Sequence, residues 1–345
     1  MNFYKRSGVP AAGEQFNGKT ATAVYTGIET YTYTRNLPWN GYASKIKTAT
    51  VVDDGLQPKS TASWFTNCKS ITQCDMSKLD TSTLADASGM FYNCSSLTTI
   101  GDLSSWDVSN LADASDMFYN CSSLTTIGDL SGWDVSSLAN ASHMFDGCSK
   151  LTTIGDLSSW NISKMTNASS MFSRCSSLTT IGDLSGWDVS NLASSQWMFY
   201  SCSSLTTIGD LSSWNTGKVT NMSYMFTYCS KLSADCSNWD VSKVNNHSNF
   251  NKNATGITAP LAWQASSDEG GEDSAIAPLC EEQGNRDALS VSDENGNDEN
   301  ASKTDGEASA DSEAEGSNTA SATDEAGAKE EEASDDIVKE EPVAA

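Results

Sequence analysis

The feature that most constrains this chain is a period of 27 residues. Cys94, Cys121, Cys148, Cys175, Cys202 and Cys229 recur at that interval, and a Met-Phe pair keeps step from Met90-Phe91 to Met225-Phe226. Trp106, Trp133, Trp160, Trp187 and Trp214 form a second register with the same spacing. Self-similarity at a fixed period marks a repeat architecture. The end units deviate, with 26 residues from Cys68 to Cys94 and 25 from Trp214 to Trp239, as capping units of a stack must.

Within one unit the apolar positions are Met117, Phe118, Cys121, Leu124, Ile127, Leu130, Trp133, Val135 and Leu138, separated mostly by Ser, Thr, Asn, Asp and Gly. Neither a 3.6-residue period nor strict alternation fits the whole unit. A coil fits, with apolar side chains inward and polar residues at the corners. The pattern predicts a short strand over Leu-Thr-Thr-Ile-Gly-Asp-Leu and a short helical turn near Met-Phe. One coil cannot bury enough apolar surface to offset the cost of ordering its backbone. Neighbouring coils must therefore bury each other's faces, and the expected fold is a β-rich repeat solenoid.

Composition divides the chain into three regions. Residues 1–60 are expected to form an N-terminal β-rich cap, with strands in residues 20–25, in Tyr31-Thr32-Tyr33-Thr34 and in residues 45–52. Residues 61–255 are the repeats, ending in a degenerate unit around Trp239, Val241, Val244 and Phe250. Residues 256–345 are expected to be an acidic disordered tail or spacer. From residue 266 there is no aromatic side chain, and 25 acidic groups face 4 basic ones, a net of 4 − 25 = −21 out of the chain's −25. Such a segment cannot bury enough surface to fold; it serves as a solvated spacer or as an acidic arm for a partner. The remainder carries 20 acidic and 16 basic groups, a net of −4. Nucleic-acid binding is not expected from that balance.

No stretch approaches the roughly 20 apolar residues of a membrane-spanning helix. Met1-Asn2-Phe3-Tyr4-Lys5-Arg6 is followed by no apolar run that would act as an export signal. The expectation is a fragment or a misplaced start. The chain is expected to be monomeric.

Ser60-Thr61-Ala62-Ser63-Trp64-Phe65-Thr66-Asn67-Cys68, and later Val219-Thr220-Asn221-Met222-Ser223-Tyr224-Met225-Phe226, carry a resemblance. With their Trp-Asp-x-Ser and Met-Phe-x-x-Cys-Ser-x-Leu elements in repeated order, residues 1–255 resemble the BspA-like leucine-rich-repeat surface proteins of bacteria. The resemblance implies a leucine-rich-repeat-like stack with an N-terminal β cap. It also implies export, a cell-surface or extracellular location, and adhesion to host or microbial surface proteins or glycans. The sequence departs from the family's pattern in one respect. The first coil follows it with Ile71, Cys74, Met76 and Leu79, whereas later coils insert a residue around Gly101-Asp102. The insertion predicts a bulge or tight turn in each coil, where Gly permits the backbone angles. A wall-sorting signal and a lipid-attachment cysteine, which would define attachment, are not visible.

The chemical candidates favour a scaffold. Six cysteines one coil apart suit buried free thiols better than disulfides, because strands stack slightly too far apart for relaxed bridges. Cys74 and Cys236 look like core substitutions, and Cys280 lies in the tail. The column Asp102, Asp129, Asp156, Asp183 and Asp210 reads either as turn caps or as a weak calcium site. The Thr98-Thr99 to Thr206-Thr207 pairs read as an exposed strand surface or an ice-ordering ladder, and the tryptophans as core or sugar platforms. His143 and His247 occupy unrelated coil positions, no nucleophile–base set is evident, and no enzyme activity and no cofactor are expected.

Function is better sought where near-identical coils differ. Before Met-Phe stand Gly89, Asp116, His143, Ser170, Trp197 and Tyr224; after it stand Tyr92, Tyr119, Asp146, Ser173, Tyr200 and Thr227, with Tyr228 one further on. Trp197, Tyr200, Tyr224 and Tyr228 fall on neighbouring coils, with Arg174 one coil earlier as a polar neighbour. Grouped aromatics of this kind mark an interface or shield the C-terminal end of the stack. The function expected is non-catalytic binding, with a ligand-free display scaffold as the alternative.

Overall fold

The computed structural model describes residues 1–5, 15–16, 19–20, 23–25, 37, 39–264 and 335–339. Residues 31–34, Cys280 and the acidic segment from residue 265 on, apart from residues 335–339, lie outside the described residues. The elements are few and short: β1 (Asn2–Lys5), β2 (Gln15–Phe16), β3 (Lys19–Thr20), β4 (Ala23–Tyr25), β5 (Thr48–Val51), β6 (Gln73–Asp75), β7 (Ala234–Asp235), β8 (Ile257–Thr258), α1 (Leu261–Gln264) and β9 (Asp335–Lys339). No described helix is long and apolar enough to cross a membrane.

The unit's apolar positions all turn inward. Met117, Phe118, Cys121, Leu124, Ile127, Leu130, Trp133, Val135 and Leu138 are buried, as are their counterparts one period on. Each column stacks on itself. Phe118 lies 5.6 Å from Phe145, which lies 5.8 Å from Phe172, with near-parallel rings; the Trp106 to Trp214 rings stack at 6.2 to 6.4 Å. Hydrogen bonds tie the same columns together. Trp160 Nε1–H donates to the Leu130 carbonyl of the preceding unit at 2.9 Å, and the Cys148 thiol donates to the Phe118 carbonyl at 3.2 Å. The recurrent cysteine is thus a small apolar filler that also supplies a weak donor to a neighbouring unit.

Parallel pairing carries the backbone from unit to unit. β1 lies parallel to β5 and β5 to β6, and single bridges continue from Gln73 to Thr99 and from Thr99 to Thr126. The extended run expected in every coil is a strand only in the first unit (β6) and the degenerate last one (β7), where no Gly follows the ladder. In the units between, Gly101, Gly128, Gly155, Gly182 and Gly209 hold φ at 84 to 92°, and the run before them keeps a single bridge at Thr99 and Thr126 and none at Thr153, Thr180 or Thr207. A Cβ at Gly182 would run into the Asp156 carboxylate of the preceding unit. Short 3-10 turns follow in three units, at Leu157–Ser159, Leu184–Gly186 and Leu211–Ser213. The Met-Phe segment is a hydrogen-bonded turn rather than a helix.

The serines are structural donors. In one unit Asp102, Asp107 and Asp113 accept from the backbone N–H of Ser104, Ser109 and Ser115 at 2.9, 3.0 and 2.8 Å, so each corner is an Asx turn. At the N-terminal end Phe3 stacks on Trp64 at 5.4 Å, and Trp39 Nε1–H donates to the Trp64 carbonyl at 2.5 Å. At the other end β8 pairs with β7, and Trp263 of α1 stacks on His247 at 4.3 Å and meets Phe250 edge-on at 5.0 Å. Packing therefore runs to Gln264 rather than stopping at residue 255. β9, inside the segment expected to be tail, pairs antiparallel with β1 and β4.

Candidate binding face

Each Met-Phe turn places two residues in the left-handed region: the one before Met and the one before Cys. Gly or Asn suits that conformation, and Gly89, Asn67, Asn93, Asn120 and Gly147 supply it in the early units. Later units put larger side chains there. His143 has φ 56°, Arg174 59°, Trp197 60°, Tyr224 58° and Tyr228 62°. The ladder between units enforces the geometry: Arg174 N–H donates to the Tyr200 carbonyl at 2.6 Å, Trp197 N–H to Ser223 at 2.9 Å, and Tyr228 N–H to Lys252 at 2.8 Å. Bulky residues held there cost of order 1–2 kcal/mol each.

The four predicted aromatics meet. Trp197 stacks on Tyr224 at 4.4 Å and touches Tyr200 at 4.5 Å, and Tyr200 meets Tyr228 edge-on at 5.7 Å. Tyr228 is 42% exposed. At the end of the stack Trp263 of α1 covers His247 and Phe250.

Arg174 adjoins the group through its backbone, but its side chain turns toward the preceding units. Its Nε donates to Asp146 Oδ1 at 2.9 Å, and Asp146 Oδ2 lies 3.0 Å from His143 Nδ1. Asp146 is 4% exposed. Burial opposes the His143 charge, but the hydrogen bond and charge of Asp146, with Asp116, outweigh it and raise the imidazole pKa above 6.5. Burial likewise raises Asp116 above 3.8. His143 meets the ring of Tyr119 at 5.9 Å, and Tyr119 stacks on Tyr92 at 4.8 Å. This His-Asp-Arg node escaped the sequence reading, which set His143 aside as unrelated. Its signal was present all the same: His143 and Asp146 stand in the two columns that vary.

The recurring polar columns are committed elsewhere. Asp102, Asp129, Asp156, Asp183 and Asp210 each accept the N–H of the serine two residues on, at 2.9 Å. For Asp129, Asp183 and Asp210 that backbone bond, then the serine hydroxyl, lowers the carboxyl pKa. No group of three or more His, Cys, Asp or Glu side chains placed to hold a metal ion occurs among the described residues. The Thr98 and Thr125 hydroxyls donate to the Thr72 and Thr98 carbonyls at 2.8 and 3.2 Å. The nine described cysteines are free and buried. Burial pushes the Cys68 and Cys229 thiols up to about 12.

Sequence period and stacked columns together define a repeat protein. Residues 59–181 and 177–270 match, as two adjacent segments, the family described as Mycoplasma protein of unknown function, DUF285. More than half of the chain is covered, and the chain belongs to that family. No curated protein and no solved structure matches it.

Proposed function

We propose that this chain is a non-catalytic binding module, a leucine-rich-repeat-like solenoid of BspA type, displayed on or released from the bacterial envelope. Its Met-Phe face engages host or microbial surface proteins or glycans. The observation that carries this reading is the cluster of Trp197, Tyr200, Tyr224 and Tyr228, three of them held at positive φ where Gly or Asn would cost less. Strain retained at a surface position supports a functional role for the side chain, and clustered Trp and Tyr are favoured at interfaces. Export and display rest on the resemblance to BspA-like proteins.

The test is a screen of the full chain against extracellular proteins and glycans, repeated with Trp197→Ser. Loss of the Trp197 contacts at 4.4 and 4.5 Å should lower stability by about 1–3 kcal/mol and leave circular dichroism unchanged, while binding disappears. Binding that survives Trp197→Ser overturns this placement of the face. A wild-type chain that binds nothing in the screen leaves the ligand-free display scaffold.

A further inference from the structure

The Met-Phe face differs from the rest of the repeats in charge. Along the turns, over residues 62–70, 88–96, 115–123, 142–150, 169–177, 196–204, 223–231 and 248–256, the basic residues are Lys69, Lys150, Arg174, Lys231 and Lys252. The acidic ones are Asp116 and Asp146. The face thus carries 5 − 2 = +3, while the other residues up to 265 carry (16 − 5) − (20 − 2) = −7. Asp146 is buried and bonded to both Arg174 and His143, so it presents little negative charge outward. Lys150, Lys231 and Lys252 are exposed, and the Arg174 side chain is 46% exposed. Five of the 16 basic residues up to residue 265 lie on this face, and Arg174, Lys231 and Lys252 stand on the turns that carry or adjoin the aromatic cluster.

The apolar surface there is also of one kind. The Met, Phe and Cys of each turn are buried, and the exposed large apolar residues among those described are Tyr228 and Leu261, the latter in α1 off the face. That surface consists of the exposed Tyr228 ring and the half-buried rings of Trp197, Tyr200 and Tyr224 among short hydrogen-bonding groups, such as Asn221 Nδ2 bonded to Gln196 at 2.7 Å. Flat rings take the C–H face of a sugar, and amides and hydroxyls take its hydroxyl groups. Cations alongside select sugars that carry carboxylates.

We propose that the Met-Phe face binds a carboxylate-bearing polysaccharide, its sugar rings against Trp197, Tyr224 and Tyr228 and its carboxylates toward Arg174, Lys150, Lys231 and Lys252. The inference rests on the binding-module reading and names its ligand class. Affinity electrophoresis of the full chain through gels holding polygalacturonate, dextran or poly-L-glutamate tests it. Retardation is expected with polygalacturonate and not with dextran, about tenfold weaker for Tyr228→Asn and up to about fivefold weaker for Lys150→Ser or Lys231→Ser. Equal retardation by dextran removes the role of the carboxylates, and equal retardation by poly-L-glutamate makes the ligand an acidic peptide; either overturns the proposal. Retardation by none also overturns it. In that case a partner found in the broader screen and lost on Trp197→Ser shows that the face stands and only its ligand class fails.

Discussion

Tyr228 offers the sharpest separation of scaffold from site. It sits at φ 62° in the column where Asn67, Asn93 and Asn120 stand in early units and Asn253 in the last. A residue other than Gly or Asn costs about 1–2 kcal/mol there. Asn relieves about half of that, about 0.5–1 kcal/mol, and keeps the backbone N–H that meets the Lys252 carbonyl. Against this stands one edge contact with Tyr200 at 5.7 Å from a ring that is 42% exposed, worth about 0.5 kcal/mol. Tyr228→Asn should therefore leave stability unchanged or raise it by up to about 0.5 kcal/mol while weakening binding. Ser201→Asn, at φ 57° in the same column, isolates the backbone term and should stabilise by about 0.5–1 kcal/mol. Urea titration followed by tryptophan fluorescence measures both, read from the midpoint at constant m-value. If Tyr228→Asn instead destabilises by more than about 1 kcal/mol, the ring is a structural part and the strain argument fails.

Gly182→Ala should destabilise by about 2 kcal/mol or more, because φ is +91° and a Cβ would strike the Asp156 carboxylate; Gly186→Ala, with nothing within 4 Å, should be near neutral in the same urea assay. Trp160→Phe removes the Nε1 bond to the Leu130 carbonyl, which keeps a second donor in Trp133 N–H, so calorimetry should show a loss of about 1–2 kcal/mol; no change would remove the tryptophans from the core. His143 has a folded pKa raised above 6.5, so its charge contributes stability in full below that value and loses it as pH rises through the higher folded one. Asp116, raised above 3.8 by burial, also costs stability as it ionises. Melting temperature should thus fall above pH 6.5 in the wild type and less so in His143→Gln; identical profiles would refute the node. Folded chain at pH 8 should resist thiol labelling by Ellman's reagent at its nine described cysteines, all buried, until denaturant is added; rapid labelling of Cys148 would contradict its burial.

Much of the core was legible in the sequence because a period forces it. A side chain that recurs every 27 residues stacks on its own copies, so Phe118, Cys121 and Trp133 had to share an environment with Phe145, Cys148 and Trp160. The corner turns were half legible: Asp102 was open to a capping reading, but its donor Ser104 looked like filler, since an Asx turn uses the serine backbone and leaves no demand on its side chain. The strands were over-read. Leu-Thr-Thr-Ile has good strand character, yet extension depends on the residue after it, and Gly101 at φ 84° ends the run. The aromatic cluster was visible as variation within a fixed period. The His143–Asp146–Arg174 node left only its varying columns as a mark, because its bonds join positions 3 and 28 apart and the turn geometry decides which of those side chains meet.

Scaffold and site are separable for a physical reason. The bonds between units are made chiefly by backbone groups of the turn, as in Phe145 N–H to the Met171 carbonyl at 2.9 Å, with buried Cys and Trp and exposed Thr side chains beside them. Outward side chains beside Met-Phe add bonds in some units, as from Asn93 to Asn67, Asn120 to Asn93 and Arg174 to Asp146, and the rest of the ladder does without them. What the turn demands there is a backbone conformation, and a non-glycine residue meets that demand at about 1–2 kcal/mol. A stack in which each unit is supported by two neighbours tolerates such a cost at several positions. Outward positions at His143, Arg174, Trp197, Tyr224 and Tyr228 can therefore be strained together without loss of the fold. The same arithmetic limits how far the face can extend, since the end units have one neighbour fewer; Asn67 and Asn253 occupy the strained column there, and Arg174 and Tyr228 occupy it further in.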